Sequence, residues 1–200
     1  MSAKTVYARR SEANREDLVN AAASLFWTKG YAATSLADIA CQSGVPLGNV
    51  YYYFKTKAAI AEAVGQLLRD QTRDALDRIT AEHGEPPARL SALFALFAAA
   101  NGARTQSGCP IATACRNFSA QVPEAAKLAG SAFTMMRDWI AANLVSAGQP
   151  EREARDKADG WLARWQGGIT LAHALQDQAL LDRITDRLIK EAGALKAQAR

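Results

Sequence analysis

Cysteine, histidine and long apolar runs are all scarce in this chain of 200 residues. Each scarcity closes off a class of protein. The three cysteines, Cys41, Cys109 and Cys115, make no disulfide framework, and their spacings fit no zinc ribbon or finger. A reducing compartment follows most simply. There are two histidines, His83 and His173, and no His-Glu-x-x-His, Gly-x-Ser-x-Gly or Gly-rich phosphate loop. The sequence therefore predicts no enzyme, no metal site and no cofactor. No apolar run reaches the roughly 18 residues that a membrane span requires. The N-terminus is charged and lacks the apolar core of a signal peptide. No stretch alternates apolar and polar residues as a half-buried strand does. These absences predict an all-α, cytoplasmic protein without membrane contact.

What is present suits a globular fold. Hydrophobic residues make up 49% and charged residues 22%, enough to bury a core in one domain or two small ones. The net charge of +4 is unevenly spread. Residues 1–57 hold seven basic groups, Lys4, Arg9, Arg10, Arg15, Lys29, Lys55 and Lys57, against four acidic ones, Glu12, Glu16, Asp17 and Asp38, a surplus of three. Residues 58–200 hold the other 17 basic and 16 acidic groups. A basic N-terminal quarter on a near-neutral body suggests an anionic partner for that quarter.

The apolar residues recur at helical period and predict about nine helices. Leu18, Ala21, Ala22, Leu25 and Phe26 share one face of the first, which stops at Gly30. Ser35, with Asp38 three residues on, offers a capping box for a short second helix carrying Leu36, Ile39 and Ala40. A third runs from about Pro46 to Tyr53, with the proline in a tolerated first-turn position. A long helix follows from Thr56, ended by Gly84 and the Pro86–Pro87 pair. Later stripes are Leu90, Leu93, Phe94 and Phe97; Met136, Ile140 and Leu144; Trp161, Trp165, Ile169 and Ala172; and Leu180, Leu181, Ile184, Leu188 and Ile189. Thr105–Gly108 and Val122–Pro123 break the pattern. The division is a three-helix unit over 1–57 and a helical body over 58–200.

The informative segment is 34–57. Two short helices are joined by Cys41-Gln42-Ser43-Gly44-Val45, the signature of a helix-turn-helix: the glycine accepts positive φ and Val45 plugs the angle. Phe26, Leu36, Ile39, Val45, Val50 and Phe54 are the core candidates, and Cys41 is expected to pack with them. Three consecutive tyrosines, Tyr51, Tyr52 and Tyr53, cannot all face a core, because successive helical side chains point about 100° apart. An exposed tyrosine offers its ring to a thymine methyl and its hydroxyl to a phosphate. Gly48 permits close backbone approach, and Lys57 stands at a helix start that favours phosphate.

These residues, from Leu25-Phe26 and Gly30-Tyr31 through Thr34-Ser35-Leu36, Ile39-Ala40 and Ser43-Gly44-Val45 to Gly48-Asn49-Val50-Tyr51-Tyr52-Tyr53-Phe54-Lys55-Thr56-Lys57, resemble the DNA-binding domain of the TetR family of transcriptional repressors. The match covers roughly residues 14–60 at intact spacing. The resemblance implies a homodimer paired through its last two helices, a double-stranded operator of two inverted half-sites, and an effector-binding body. By position it makes Gly48, Asn49, Tyr51, Tyr52 and Tyr53 the main contacts. Tyr51 approaches base edges, while Asn49, Tyr52 and Tyr53 favour phosphates. Thr34 or Ser35 touches phosphate from the second helix, and Lys57 from the fourth. Leu47 stands where the family often has lysine, and Tyr53 replaces a frequent histidine. A repressor is the leading expectation, with an activator on the same fold as the alternative.

The body offers aromatic and polar candidates for an effector pocket, chiefly Phe97, Phe118, Trp139, Trp165 and Gln166, with Arg116, Asn117 and His173 as further polar groups. Cys109 precedes the helix opened by Pro110, where free N–H groups and the helix dipole favour a thiolate. It is either a sensor for a reactive electrophile or oxidant, or a small packing residue. Cys115 lies about 240° further round, so no bridge to Cys109 is expected. Gly167-Gly168 inside a helix marks a close approach, either to a second copy or to another helix of the same chain.

Overall fold

The computed structural model describes residues 3–195, with side chains from Arg10 onward. Among the described residues the secondary structure is helical and contains no strand. The helices are α1 (Ala3–Thr28), α2 (Leu36–Ser43), α3 (Leu47–Tyr53), α4 (Lys57–Glu82), α5 (Pro86–Ala98), α6 (Asn101–Ser107), α7 (Pro110–Phe118), α8 (Pro123–Ser146), α9 (Glu151–Leu175) and α10 (Gln178–Gly193). The all-α expectation holds. Periodicity does not announce α6, because its seven residues include a single apolar side chain, Ala103. Pro46 sits at the N-cap of α3, one place before the first turn. No described helix is long and apolar enough to cross a membrane.

The chain forms two compact units. One comprises residues 1–69 with 111–130. Its core joins Leu18, Phe26, Ile39, Val50, Phe54 and Ile60 to Phe118, each at most 4% exposed. Three rings meet edge to face at its centre: Phe26 to Tyr31 at 5.2 Å, Phe26 to Phe118 at 5.6 Å and Tyr31 to Phe118 at 5.4 Å. Each such pair adds roughly 0.5–1.5 kcal/mol beyond area burial. The Asn117 side chain donates to the Phe26 carbonyl at 3.3 Å, pinning α7 to α1. On α4, Gly65 admits α8: a Cβ there would lie 2.7 Å from the Ala125 carbonyl oxygen.

The other unit comprises residues 70–110 with 131–200. Leu90, Leu93, Phe94 and Phe97 form the buried face of α5, as their spacing predicts. Phe94 meets Trp161 edge-on at 5.3 Å, and Phe97 stacks on Trp165 at 3.8 Å and 11°. Glu191 ties α10 to α9. It accepts from Trp161 Nε1 at 3.0 Å and from both terminal nitrogens of Arg164, at 2.6 and 2.8 Å. That fork holds the Glu191 carboxyl below its ordinary range, against the opposing effect of burial. Gly168 serves the crossing of α9 with α10, since a Cβ there would stand 2.7 Å from Ile184 Cδ1. Around Gly167 there is open space. The two glycines therefore have different roles, and the internal crossing accounts for one of them.

Candidate nucleic-acid interface

The Ser35 hydroxyl opens α2 by accepting from the Asp38 amide at 3.1 Å, while Asp38 Oδ2 accepts from the Ser35 amide at 2.7 Å. This is the capping box expected from the spacing. The Lys29 ammonium adds a 2.8 Å bond to the same carboxylate oxygen. Together these donors, Lys29 first, hold the Asp38 carboxyl well below the usual carboxylate range. At the other end Gly44 turns the chain with φ +71°, a left-handed conformation that favours glycine. The Ser43 hydroxyl accepts from the Val45 amide at 3.2 Å, and Val45 is 4% exposed. The turn is thus fixed both by backbone conformation and by a buried plug.

On α3, Val50 is fully buried and anchors the helix. Around it Leu47, Gly48, Asn49, Tyr51 and Tyr52 are all exposed, with Tyr52 at 67% and Tyr51 at 51%. Nothing lies within 4 Å of a Cβ placed on Gly48. Leu47 projects an apolar side chain that is 44% exposed. Tyr53 is half-buried and differs from its neighbours. Its hydroxyl accepts from Asn14 Nδ2 at 3.3 Å, and its ring meets Tyr52 edge-on at 5.0 Å. The third tyrosine thereby braces the second against α1. The Lys55 ammonium donates to the Tyr51 carbonyl at 2.9 Å, serving the C-terminal end of α3.

Two of the residues expected at phosphate have other occupations. Thr34 is 1% exposed and its hydroxyl donates to the Gly30 carbonyl at 2.8 Å, so of the Thr34–Ser35 pair only Ser35 is at the surface. The Lys57 ammonium donates to the Tyr31 carbonyl at 2.9 Å and the Thr34 carbonyl at 3.0 Å, and lies 4.3 Å above the Tyr31 ring. Two of its three protons are spent inside the protein. Cys41, expected to pack, is exposed: it falls on the outer side of α2, while Ile39 and Ala40 take the buried positions.

The body candidates divide between the two units. Phe97, Cys109, Trp165 and Gln166 stand together in the second unit: Gln166 Nε2 donates to Cys109 Sγ at 3.4 Å, and Phe97 stacks on Trp165. Cys109 is 4% exposed. Phe118 lies elsewhere, in the aromatic trio of the first unit. Trp139 is half-buried, and its indole donates to Thr80 Oγ1 at 3.0 Å. Sequence reasoning missed Arg104. Its guanidinium covers the stacked pair, 5.1 Å from the Trp165 ring and 5.7 Å from Phe97. It sits in the polar run of α6, where no periodicity singles it out.

Comparison with known proteins agrees with this geometry. Residues 18–64 match the family model of bacterial regulatory proteins of the tetR family, and residues 86–187 match that of the LmrA/YxaF-like transcriptional regulator C-terminal domain. The HTH-type transcriptional regulator LmrA of Bacillus subtilis is 27% identical over 165 residues, covering 80% of this chain and 86% of that protein. The HTH-type transcriptional regulator TtgR of Pseudomonas putida is 35% identical over 75 residues, covering 38% of this chain and 35% of its own. A TetR transcriptional regulator from Chloroflexus aurantiacus shares the fold with a TM-score of 0.79 at 23% identity, over 93% of this chain and 97% of that one. These are regulators and not enzymes. With a helix-turn-helix at residues 34–53 and both halves matched, the chain belongs to the TetR family of transcriptional regulators.

Proposed function

We propose that this protein is a dimeric, operator-binding repressor of the cytoplasm, released from DNA by an effector bound in its body. Residues 1–57 read the operator and residues 58–200 serve the dimer and the effector. The observation that carries the reading is the exposed row Leu47, Gly48, Asn49, Tyr51 and Tyr52 on a helix anchored by buried Val50. Tyr51 and Leu47 present apolar surface to base edges, while Asn49, Tyr52 and Ser35 offer polar groups to phosphate. Tyr53 acts mainly by holding Tyr52. Pairing through α9 and α10 is supported by open space at Gly167 and by exposed Leu171 and Leu175, at 53% and 64%. Two recognition helices so paired meet successive major grooves about 34–36 Å apart. The effector is a small molecule or a thiol-modifying electrophile, and Cys109 is its candidate target. Buried Cys109 reacts only when its surroundings open.

Selection of bound sequences from random duplex DNA tests the reading. An inverted repeat is expected, with binding that falls steeply with salt and is lost in Tyr51→Ala. Recovery of no motif, or of an unrepeated one, refutes it. The thiol arm is checked by operator affinity of Cys109→Ser with and without a quinone. Equal release of variant and parent removes Cys109 from the mechanism.

A further inference from the structure

The second unit contains donors that the fold leaves without acceptors. Arg104 Nε and Trp165 Nε1 are both buried and neither has a hydrogen-bond partner. Trp165 is 98% buried by its 2% exposure, and its indole nitrogen can only donate. The two side chains are neighbours, with the guanidinium carbon 5.1 Å from the Trp165 ring. Arg104 uses one terminal nitrogen on the Phe97 carbonyl at 2.7 Å. Among the described residues no Asp or Glu pairs with it. Burial pulls its pKa down, and the Cys109 sulfur opposes that pull only in part. A guanidinium does not shed its proton in a protein, and Arg104 is half-buried with its Nε shut off from water, an arrangement that favours an anion at that nitrogen. Thr105, beside it on α6 and 5% exposed, has an unpartnered hydroxyl that can donate or accept.

We propose that Arg104 and Trp165 receive the acidic group of the effector, which is an organic carboxylate. The inference rests on the effector reading above and gives that site its chemistry. A carboxylate oxygen accepts from Arg104 Nε and the indole N–H together, and the stacked Phe97–Trp165 pair favours an apolar body over an inorganic anion. In the present state the donors are closed from solvent, so the ligand enters as α6 parts from α9. Opening breaks the contacts of the Thr105 carbonyl with His173 Nδ1 at 2.9 Å and Gln176 Nε2 at 3.4 Å, against which the helix is short. It has seven residues, no side-chain cap at Ala100, and an end at Gly108 with φ +77°. Its buried polar groups are incompletely satisfied in the closed arrangement.

The test uses the full chain and matched probes: benzoate against benzamide, and cinnamate against cinnamamide, at constant ionic strength with sulfate as the inorganic control. At least one acid is expected to raise the melting temperature more than its amide and more than sulfate. The same acid should move the Trp165 indole N–H resonance. Arg104→Gln should weaken that acid about tenfold or more, while Cys41→Ser, at an exposed position on α2, leaves it unchanged. Should Arg104→Gln fail to fold, Arg104→Lys and the indole resonance of the parent protein carry the test. Equal shifts by acid and amide, no shift by either acid, a static Trp165 resonance, or undiminished binding in Arg104→Gln each overturn the proposal. An equal effect of sulfate overturns the organic part of it. Operator release separates this failure from that of the parent reading. If a neutral amide or a quinone frees the operator and no acid does, the effector reading stands and the carboxylate falls. If none of these compounds does, both fall.

Discussion

Lys57→Met separates a clamp from a phosphate contact. Methionine keeps most of the apolar stem and removes the ammonium, which holds the Tyr31 and Thr34 carbonyls at 2.9 and 3.0 Å and covers the Tyr31 ring at 4.3 Å. A charged hydrogen-bonding group of this kind contributes about 1.5–3 kcal/mol net. The cation–π contact adds about 0.5–1 kcal/mol at an exposed site. Lys57 is half-buried, so the lower part of the combined range applies, about 2 kcal/mol. For a chain of this length that lowers the melting temperature by about 4–8 °C. The assays are urea unfolding and operator affinity across a salt series. A clamp loses stability and leaves the slope of log affinity against log salt unchanged. A phosphate contact leaves stability unchanged and lowers the slope by about one. An unaltered urea midpoint with a reduced slope would refute the clamp.

Phe118→Ala should cost about 3–5 kcal/mol in urea unfolding, because the ring is fully buried between Phe26 and Tyr31. Combined as Phe118→Leu with Lys57→Met, the pair should couple by at least about 0.5 kcal/mol, since both touch the Tyr31 ring; strict additivity speaks against that link. Gly65→Ala and Gly168→Ala meet equally short contacts of 2.7 Å but should diverge. The first strikes the Ala125 backbone and should lose about 1–3 kcal/mol. The second strikes the end of the Ile184 side chain and should stay within about 1 kcal/mol of the parent, helped by helix propensity. Asp38 binds its proton more weakly folded than unfolded, so its stabilisation is complete at neutral pH and is lost as pH falls below about 4. Melting curves on acidification should show a smaller loss for Asp38→Asn than for the parent protein; identical losses would refute the assignment.

The features legible in the sequence are local ones. Ser35 and Asp38 three residues apart, Gly44 in the turn, and Val50 between exposed neighbours each follow from spacing within one turn or one helix. The exposure of Tyr51 and Tyr52 follows from helical geometry alone. The destinations of long polar side chains are not legible, because they depend on elements distant in sequence. Lys57 reaches carbonyls 23 and 26 residues away, and Asn14 reaches Tyr53 across 39. Phe118 and Phe97 look alike in sequence, as aromatic residues on apolar helices. Only tertiary packing sends one to Tyr31 and the other to Trp165. Arg104 was hidden for a different reason. A lone arginine in a polar run reads as solvated, and its contact with the Phe97 and Trp165 rings becomes visible only in the tertiary structure.

The packing of Tyr31 gives the recognition unit a physical dependence on residues far beyond its own motif. Helix α7 begins at Pro110, immediately after Cys109, and carries Asn117 and Phe118 into the core of the first unit. Phe118 abuts Tyr31, the Tyr31 ring and carbonyl hold Lys57, and Lys57 holds the Thr34 carbonyl. Thr34 directly precedes Ser35, the cap of α2. Each link is a close contact between groups at least half-buried, so displacing the Phe118 ring leaves a void or a clash beside Tyr31. The motif at residues 34–53 supplies the surface offered to DNA. The conformation of that surface is set jointly with α7, whose first residue follows the cysteine nearest the unsatisfied Arg104. On the proposal above, a carboxylate received at Arg104 would shift the operator equilibrium only as far as it binds one of two arrangements of the protein more tightly.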